Sequence, residues 1–237
     1  MFYFEKINNK KILKSDFIEN AFFTTKESII KTKDSSYLKL AIKNQKEIKE
    51  FLNIKDFISP IQCHTANVEI VNKKTEYPNT DGLILTKKEM AIFLNFADCT
   101  PLVFYDNQKN IGAIAHAGWR GTAEKIGVIT VEKMIKVGCN PKDIAVVIGP
   151  CISKCCFEVG IDVYEKLYKT INKTYKNSSN DKFFADLKEI NKIQLQNIGI
   201  EKIDICPYCT VCDNDLFFSY RKENATTNRH SAVLYLK

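Results

Sequence analysis

Apolar residues along the chain follow two rhythms, one of strands and one of helices. Val103-Phe104-Tyr105 and Ile111 to Ala115 are apolar runs joined by the turn-forming stretch Asp106 to Asn110, which predicts a hairpin. Similar runs at Leu83 to Leu85, Ala91 to Phe96, Ile144 to Ile148, Ile203 to Cys206 and Ala232 to Leu236 read as further strands. Ile61 to His64 opens a strand-like segment continuing through Val68, Ile70 and Val71, and Phe22-Phe23 and Tyr37-Leu38 are candidate early strands. Helical spacing predicts a helix over Asn44 to Leu52, with Ile48, Phe51 and Leu52 on one face. A second follows Gly121, aligning Ile126, Ile129, Met134 and Val137 before Gly138 stops it. Ile161 to Ile171 and Asp186 to Ile198 are two more helices, with the polar stretch Lys173 to Lys182 between them as a surface loop. No linker or repeat interrupts the pattern, so residues 1–237 read as a single domain.

The chemistry collects at the hairpin. Cys99 stands at the start of one strand and His116 at the end of its partner, and antiparallel pairing brings those ends together. His64 supplies a second imidazole. Separations of 35 and 17 residues are unlike the close pairs of structural zinc knuckles. They suit an open catalytic site whose fourth position is left for water or substrate. Spacing alone leaves a ligand set and a set of ordinary buried side chains equally open.

The nine cysteines are odd in number and follow no signal-like segment, which favours reduced thiols and a cytoplasmic setting. Cys206, Cys209 and Cys212 offer two CxxC spacings with no nearby fourth ligand, and they read as ordinary thiols. Adjacent Cys155 and Cys156 read as packing, and Cys63 is expected to face away from His64. The net charge of +7 comes from scattered lysines without a basic block, which argues against nucleic acid as a partner. No run approaches the roughly 20 apolar residues that span a bilayer. Only three basic residues are Arg, namely Arg120, Arg221 and Arg229; in so Lys-rich a chain they mark places where a planar fork is needed. Arg120 follows His116 by four residues, and Arg229 adjoins His230.

Several motifs carry a family resemblance. Gln62-Cys63-His64, Thr80-Asp81-Gly82, Ala97-Asp98-Cys99-Thr100-Pro101 and His116-Ala117-Gly118-Trp119-Arg120-Gly121-Thr122 resemble the YfiH/LACC1 family of laccase-like proteins, described as purine nucleoside phosphorylases. Ile148-Gly149-Pro150-Cys151-Ile152, Phe157-Glu158-Val159, Cys209-Thr210 and Phe217-Phe218-Ser219-Tyr220-Arg221 are similar to its later motifs, in order, across residues 60 to 237. The resemblance implies an α+β fold, one compact domain of mixed β-sheets packed together with helices on the outside. It implies zinc held by His64, Cys99 and His116, with copper as the alternative ion. The implied activity is phosphorolysis of adenosine, inosine, guanosine and methylthioadenosine, with deamination of adenosine. Purine nucleoside and phosphate are the partners, and the chain is expected to be a monomer or weak homodimer.

Arg120 and Arg221 are expected to hold phosphate through their forks, Arg221 alternatively bracing the C-terminal turn. Asp81 or Asp98 orients a ligand histidine or handles a proton, Asp81 being placed among the substrate-binding residues. The family's N-terminal arginines are replaced by Phe23-Thr24-Thr25-Lys26 and Asn44-Gln45, and Thr227-Asn228-Arg229 stands for its usual Thr-Gly-Arg. Two other activities fit the motifs: a hydrolase editing peptidoglycan precursors with Cys99 as nucleophile and His116 as base, and a copper-dependent polyphenol oxidase. A zinc-stabilised binding module fits less well, because three ligands make a poor structural site.

Overall fold

The hairpin forms the middle of one of two face-to-face sheets in the computed structural model, which describes residues 1–72, 76–173 and 182–237. In chain order the first strands are β1 (Phe2–Ile7), β2 (Lys10–Ser15) and β3 (Ala21–Thr24), followed by helix α1 (Ser35–Leu52). Strands β4 (Asp56–Ile58), β5 (Val68–Ile70), β6 (Gly82–Leu85), β7 (Met90–Phe96), β8 (Thr100–Asp106) and β9 (Ile111–Ala117) come next. Two helices, α2 (Trp119–Ala123) and α3 (Ile126–Lys136), precede β10 (Ile144–Ile148) and β11 (Glu158–Val159). The chain ends with α4 (Ile161–Lys169), β12 (Phe183–Phe184), α5 (Leu187–Gln196), β13 (Lys202–Ile205) and β14 (His230–Leu236).

One sheet runs β1-β2-β3-β14-β7-β4 and the other β13-β10-β8-β9-β6-β5, with a separate β11-β12 pair. Leu94, Phe96 and Leu234 of the first sheet meet Leu83, Val103 and Ile114 of the second in one fully buried layer. The sheets approach so closely that a Cβ on Gly112 would fall 2.3 Å from Leu234 Cδ2. Helix α1 covers the outer face of the first sheet through Ile48 and Leu52 against Phe22, Phe93 and Val233. Helices α3 and α5 cover the second through Ile126, Val131, Met134 and Leu195 against Leu102, Phe104 and Val146. The protein is thus an α+β domain with mixed sheets inside and helices outside, as the resemblance implied.

Four local expectations need correction. Tyr37 and Leu38 lie in the first turns of α1, which starts at Ser35 because the Asp34 side chain accepts the Ser36 N–H (2.9 Å) and caps the helix. Phe51 is exposed, and the buried stripe of α1 runs through Ala41, Asn44, Ile48 and Leu52 instead. The helix expected after Gly121 is two helices: α2 already begins at Trp119, and Lys125 at φ +57° breaks the chain before α3. Ile61 to His64 is not a strand. Pro60 has no N–H to continue β4 along β7, and the Gln62 side chain takes the place of backbone, bonding both Asn95 N–H (2.8 Å) and Asn95 C=O (2.9 Å). Residues 174–181 of the expected polar loop lie outside the described residues. Among the described residues no helix is long and apolar enough to cross a membrane.

Candidate metal centre

Pairing of Thr100 with Ala117 and Pro101 with His116 sets the Cys99 end of β8 beside the His116 end of β9. The loop before β5 brings His64 to the same place, so the ligand atoms of His64, Cys99 and His116 all lie within 4.8 Å of one another. His64 is exposed, Cys99 half-buried and His116 buried, a gradient from solvent to core that leaves one side open. The imidazoles meet edge to face at 4.8 Å between centroids. Gly118 permits the approach: a Cβ there would lie 3.0 Å from Cys99 Sγ and 3.4 Å from His64 Cδ2.

Asp81 organises this end of the fold. Its carboxylate, fully buried, accepts the backbone N–H groups of Cys63 (3.1 Å), His64 (3.0 Å) and Thr65 (2.8 Å) and the Thr65 hydroxyl (2.8 Å). These bonds hold the loop in a shape that puts His64 at φ +61°, a conformation costly for a non-glycine residue. The same carboxylate bonds His116 Nδ1 at 2.8 Å, which directs the other ring nitrogen, Nε2, toward Cys99 and His64. Burial alone would raise the Asp81 carboxyl, but the bonds from His116 and Thr65 outweigh it and hold the group well below the usual carboxylate range. Burial likewise opposes charge on Cys99 and His116, yet each stabilises the other. The Cys99 thiol falls to about 6 and the His116 imidazole rises to about 9. The soft thiolate and two imidazoles make a donor set that suits zinc or copper.

Asp98 has a different task from Asp81. At φ +86° it accepts the Thr210 hydroxyl (2.6 Å) and the Arg221 backbone N–H (2.8 Å), and its own carbonyl takes the Ile152 N–H (2.9 Å). It therefore ties the loops following β10 and β13 to the residue next to Cys99. Arg221 is exposed, its guanidinium donating to the Glu158 carbonyl (3.3 Å) beside Phe157. Arg120 is exposed on α2 and stacks over Trp119 at 4.3 Å. Arg229, which the sequence left without a role, is partly buried and feels the charges of Cys99 and Asp98. Its rarity, shared with Arg120 and Arg221, was the available signal. Where arginines were expected near the N-terminus, Gln45 bonds the Ile30 carbonyl (2.5 Å) and Lys26 pairs with Glu223 (2.8 Å).

His230 is fully buried between Phe96 and Phe217, and neither ring nitrogen makes a well-formed hydrogen bond. Burial pushes its pKa down to about 3, against a weak opposite pull from the Pro150 backbone; Arg229 and Lys26 also disfavour charge and Glu223 favours it. The folded imidazole is therefore neutral, while the unfolded one takes a proton below its ordinary 6.5. Its contribution to stability is intact above that value and declines as the pH falls toward 3, by about 1.4 kcal/mol per pH unit. Denaturant unfolding at pH 6 and pH 5 should show the wild type losing about that much more than His230→Phe; parallel losses would remove His230 as the cause.

The remaining cysteines divide. Cys206 is buried, and burial pushes its thiol up to about 12, as suits a packing residue. Cys63 is exposed and outside the ligand set. Cys155 and Cys156, expected to pack, instead point with Cys209 and Cys212 into one cluster. Two surface concavities of about 500 and 470 Å³ share Glu19, Asn20 and Tyr105, at the opposite strand ends from Cys99 and His116. Neither hollow includes His64, Cys99 or His116 in its lining.

A sequence profile described as multi-copper polyphenol oxidoreductase laccase matches residues 31–237. The chain belongs to this family. A purine nucleoside phosphorylase, YlmD of Bacillus subtilis (strain 168), is 30% identical over 97% of this chain and 90% of its own length. An adenosine deaminase, RL5, from an unknown prokaryotic organism is 29% identical over 78% of this chain and 77% of its own. The crystal structure of YlmD from Geobacillus stearothermophilus superposes with a TM-score of 0.85 at 27% identity, covering 99% of both chains. The family name invokes several coppers, but the chain has three histidines and only His64 and His116 join the cluster. Multicopper chemistry demands several centres, each drawing on imidazoles of its own.

Proposed function

We propose that this chain is a zinc-dependent purine nucleoside phosphorylase that also deaminates adenosine. The observation that carries the reading is the convergence of His64, Cys99 and His116 at an open strand end beside Arg229 and Asp98. The names borne by similar proteins along most of the chain support the same chemistry. The three side chains would hold zinc, which when bound supplies Lewis acidity at neutral pH. Asp81 accepts the His116 Nδ1–H, so Nε2 is the nitrogen that would give up its proton and turn its lone pair to the ion. His116 lies on the buried side of the site, and the exposed His64 side would admit the nucleoside. Arginine forks match phosphate oxygens, and Arg120 and Arg221 are the residues assigned to that anion, with Arg229 as a third cation in the electrostatic reach of Cys99.

Adenosine incubated with phosphate should yield adenine and ribose 1-phosphate, and inosine should form without phosphate. If neither product appears while a phenol or a peptidoglycan precursor is consumed, the reading is wrong. Arg120→Lys keeps the charge and loses the fork, so phosphorolysis should fall by about 10- to 100-fold, equivalent to one or two charge-assisted bonds. Deamination needs no phosphate and should change much less. The ratio of the two rates at varied phosphate checks this; an equal fall in both would place the phosphate elsewhere.

A further inference from the structure

Away from the His64 cluster, the loops after β10 and β13 carry Cys155, Cys156, Cys209 and Cys212. These strands pair in parallel, so both loops leave the same end of the sheet, and a backbone β-bridge pairing Cys151 with Cys209 keeps them together. The four sulfurs all lie within 4.8 Å of one another, Cys212 Sγ being 3.8 Å from Cys155 Sγ and 3.5 Å from Cys156 Sγ. A tetrahedral ion with bonds of about 2.3 Å sets its sulfurs about 3.8 Å apart. We propose that these four cysteines form a second, structural zinc site.

Four observations beyond proximity support it. Cys209 and Cys212 have the spacing of a zinc knuckle, and the Ser153 N–H donates to Cys209 Sγ (3.4 Å), as backbone amides do to a ligating thiolate. The knuckle is built before any ion arrives: Asp213 Oδ2 accepts the Cys209 N–H (2.8 Å), and buried Lys188 donates to the carbonyls of Cys206 (2.7 Å) and Tyr208 (2.8 Å). Cys155 and Cys156 are neighbours in sequence, which on a strand would send them to opposite faces. Here they sit in a tight turn closed by Cys156 and Phe157 N–H bonds to the Ser153 carbonyl (2.9 and 3.0 Å), where successive side chains splay far less. Finally, none of the nine cysteines forms a disulfide, so four free thiols meet without a covalent link among them. An iron–sulfur cluster would need its inorganic core between sulfurs that lie this close together, leaving a single ion as the fit.

The site has a structural consequence for the reaction centre. Thr210, inside the knuckle, is the residue whose hydroxyl clamps Asp98 next to Cys99. An ion at the four cysteines would fix that clamp without touching substrate. Open ligation at His64 and closed ligation here divide the work as catalytic and structural zinc sites do.

Elemental analysis of protein purified without added metal should give two zinc ions per chain in the wild type and one in Cys99→Ala or in Cys209→Ser/Cys212→Ser. Should the double variant fail to fold, cobalt-loaded Cys99→Ala provides the second reading. Its spectrum should still show intense thiolate-to-cobalt bands, which must come from cysteines other than Cys99. The proposal is overturned if Cys99→Ala binds no metal and shows no such band. It is equally overturned if peptide mapping of protein purified without reductant, under exclusion of air and alkylated at once, finds Cys155 or Cys156 disulfide-bonded to Cys209 or Cys212.

Discussion

Cys99→Ala should lose one zinc ion per chain and both activities together, by at least about 1,000-fold, while the fold persists. The size follows from what an ion supplies, several kcal/mol of charge stabilisation, each 1.4 kcal/mol being worth about tenfold in rate. The fold should persist because Cys99 lies at the rim of a layer built from Leu94, Phe96, Val103, Ile114 and Leu234, all fully buried and independent of the sulfur. Thermal unfolding, elemental analysis and product chromatography on one preparation test the three parts. Full turnover by this variant would mean that the thiol is not a ligand in the working enzyme.

Asp81→Asn should be damaging in a different way. The carboxylate receives four donors from residues 63–65 and one from His116, and an amide would turn an NH₂ group against some of them. Leaving buried donors unpaired costs about 2–4 kcal/mol, so unfolding should shift by that amount. Zinc affinity should also fall about 10- to 100-fold, because His116 loses its orienting partner and the His64 loop its anchor. Chelator competition measures the second effect separately. A variant that is destabilised but binds zinc at full strength would make Asp81 a brace for the loop alone.

The strands were legible because their apolar runs are buried on both faces, as β9 is from Ile111 to Ala117. Cys99 and His116 followed from the hairpin, since register alone brings the two ends together. His64 was a candidate only by residue type and spacing, since its loop is shaped by side chains: Gln62 replaces a missing backbone pairing and Asp81 gathers three amides from far along the chain. Such long-range polar contacts leave no periodic trace. The four-cysteine cluster was illegible for the same reason, its halves being joined only by the parallel pairing of β10 and β13. Adjacency of Cys155 and Cys156 suggested packing because strand geometry was assumed where the chain makes a turn. Asp81 and Asp98 looked equivalent in sequence; only their partners, His116 for one and Thr210 with Arg221 for the other, separate their roles.

One zinc centre at His64, Cys99 and His116 is proposed to serve both reactions. The most direct measurement strips the protein of metal, adds zinc back in steps, and follows adenine and inosine formation from adenosine plus phosphate in the same samples. Both rates should rise in parallel from near zero to the original level, and Cys99→Ala should recover neither. Metal-free wild type forming either product at its full rate would mean that no metal at this centre serves the reaction.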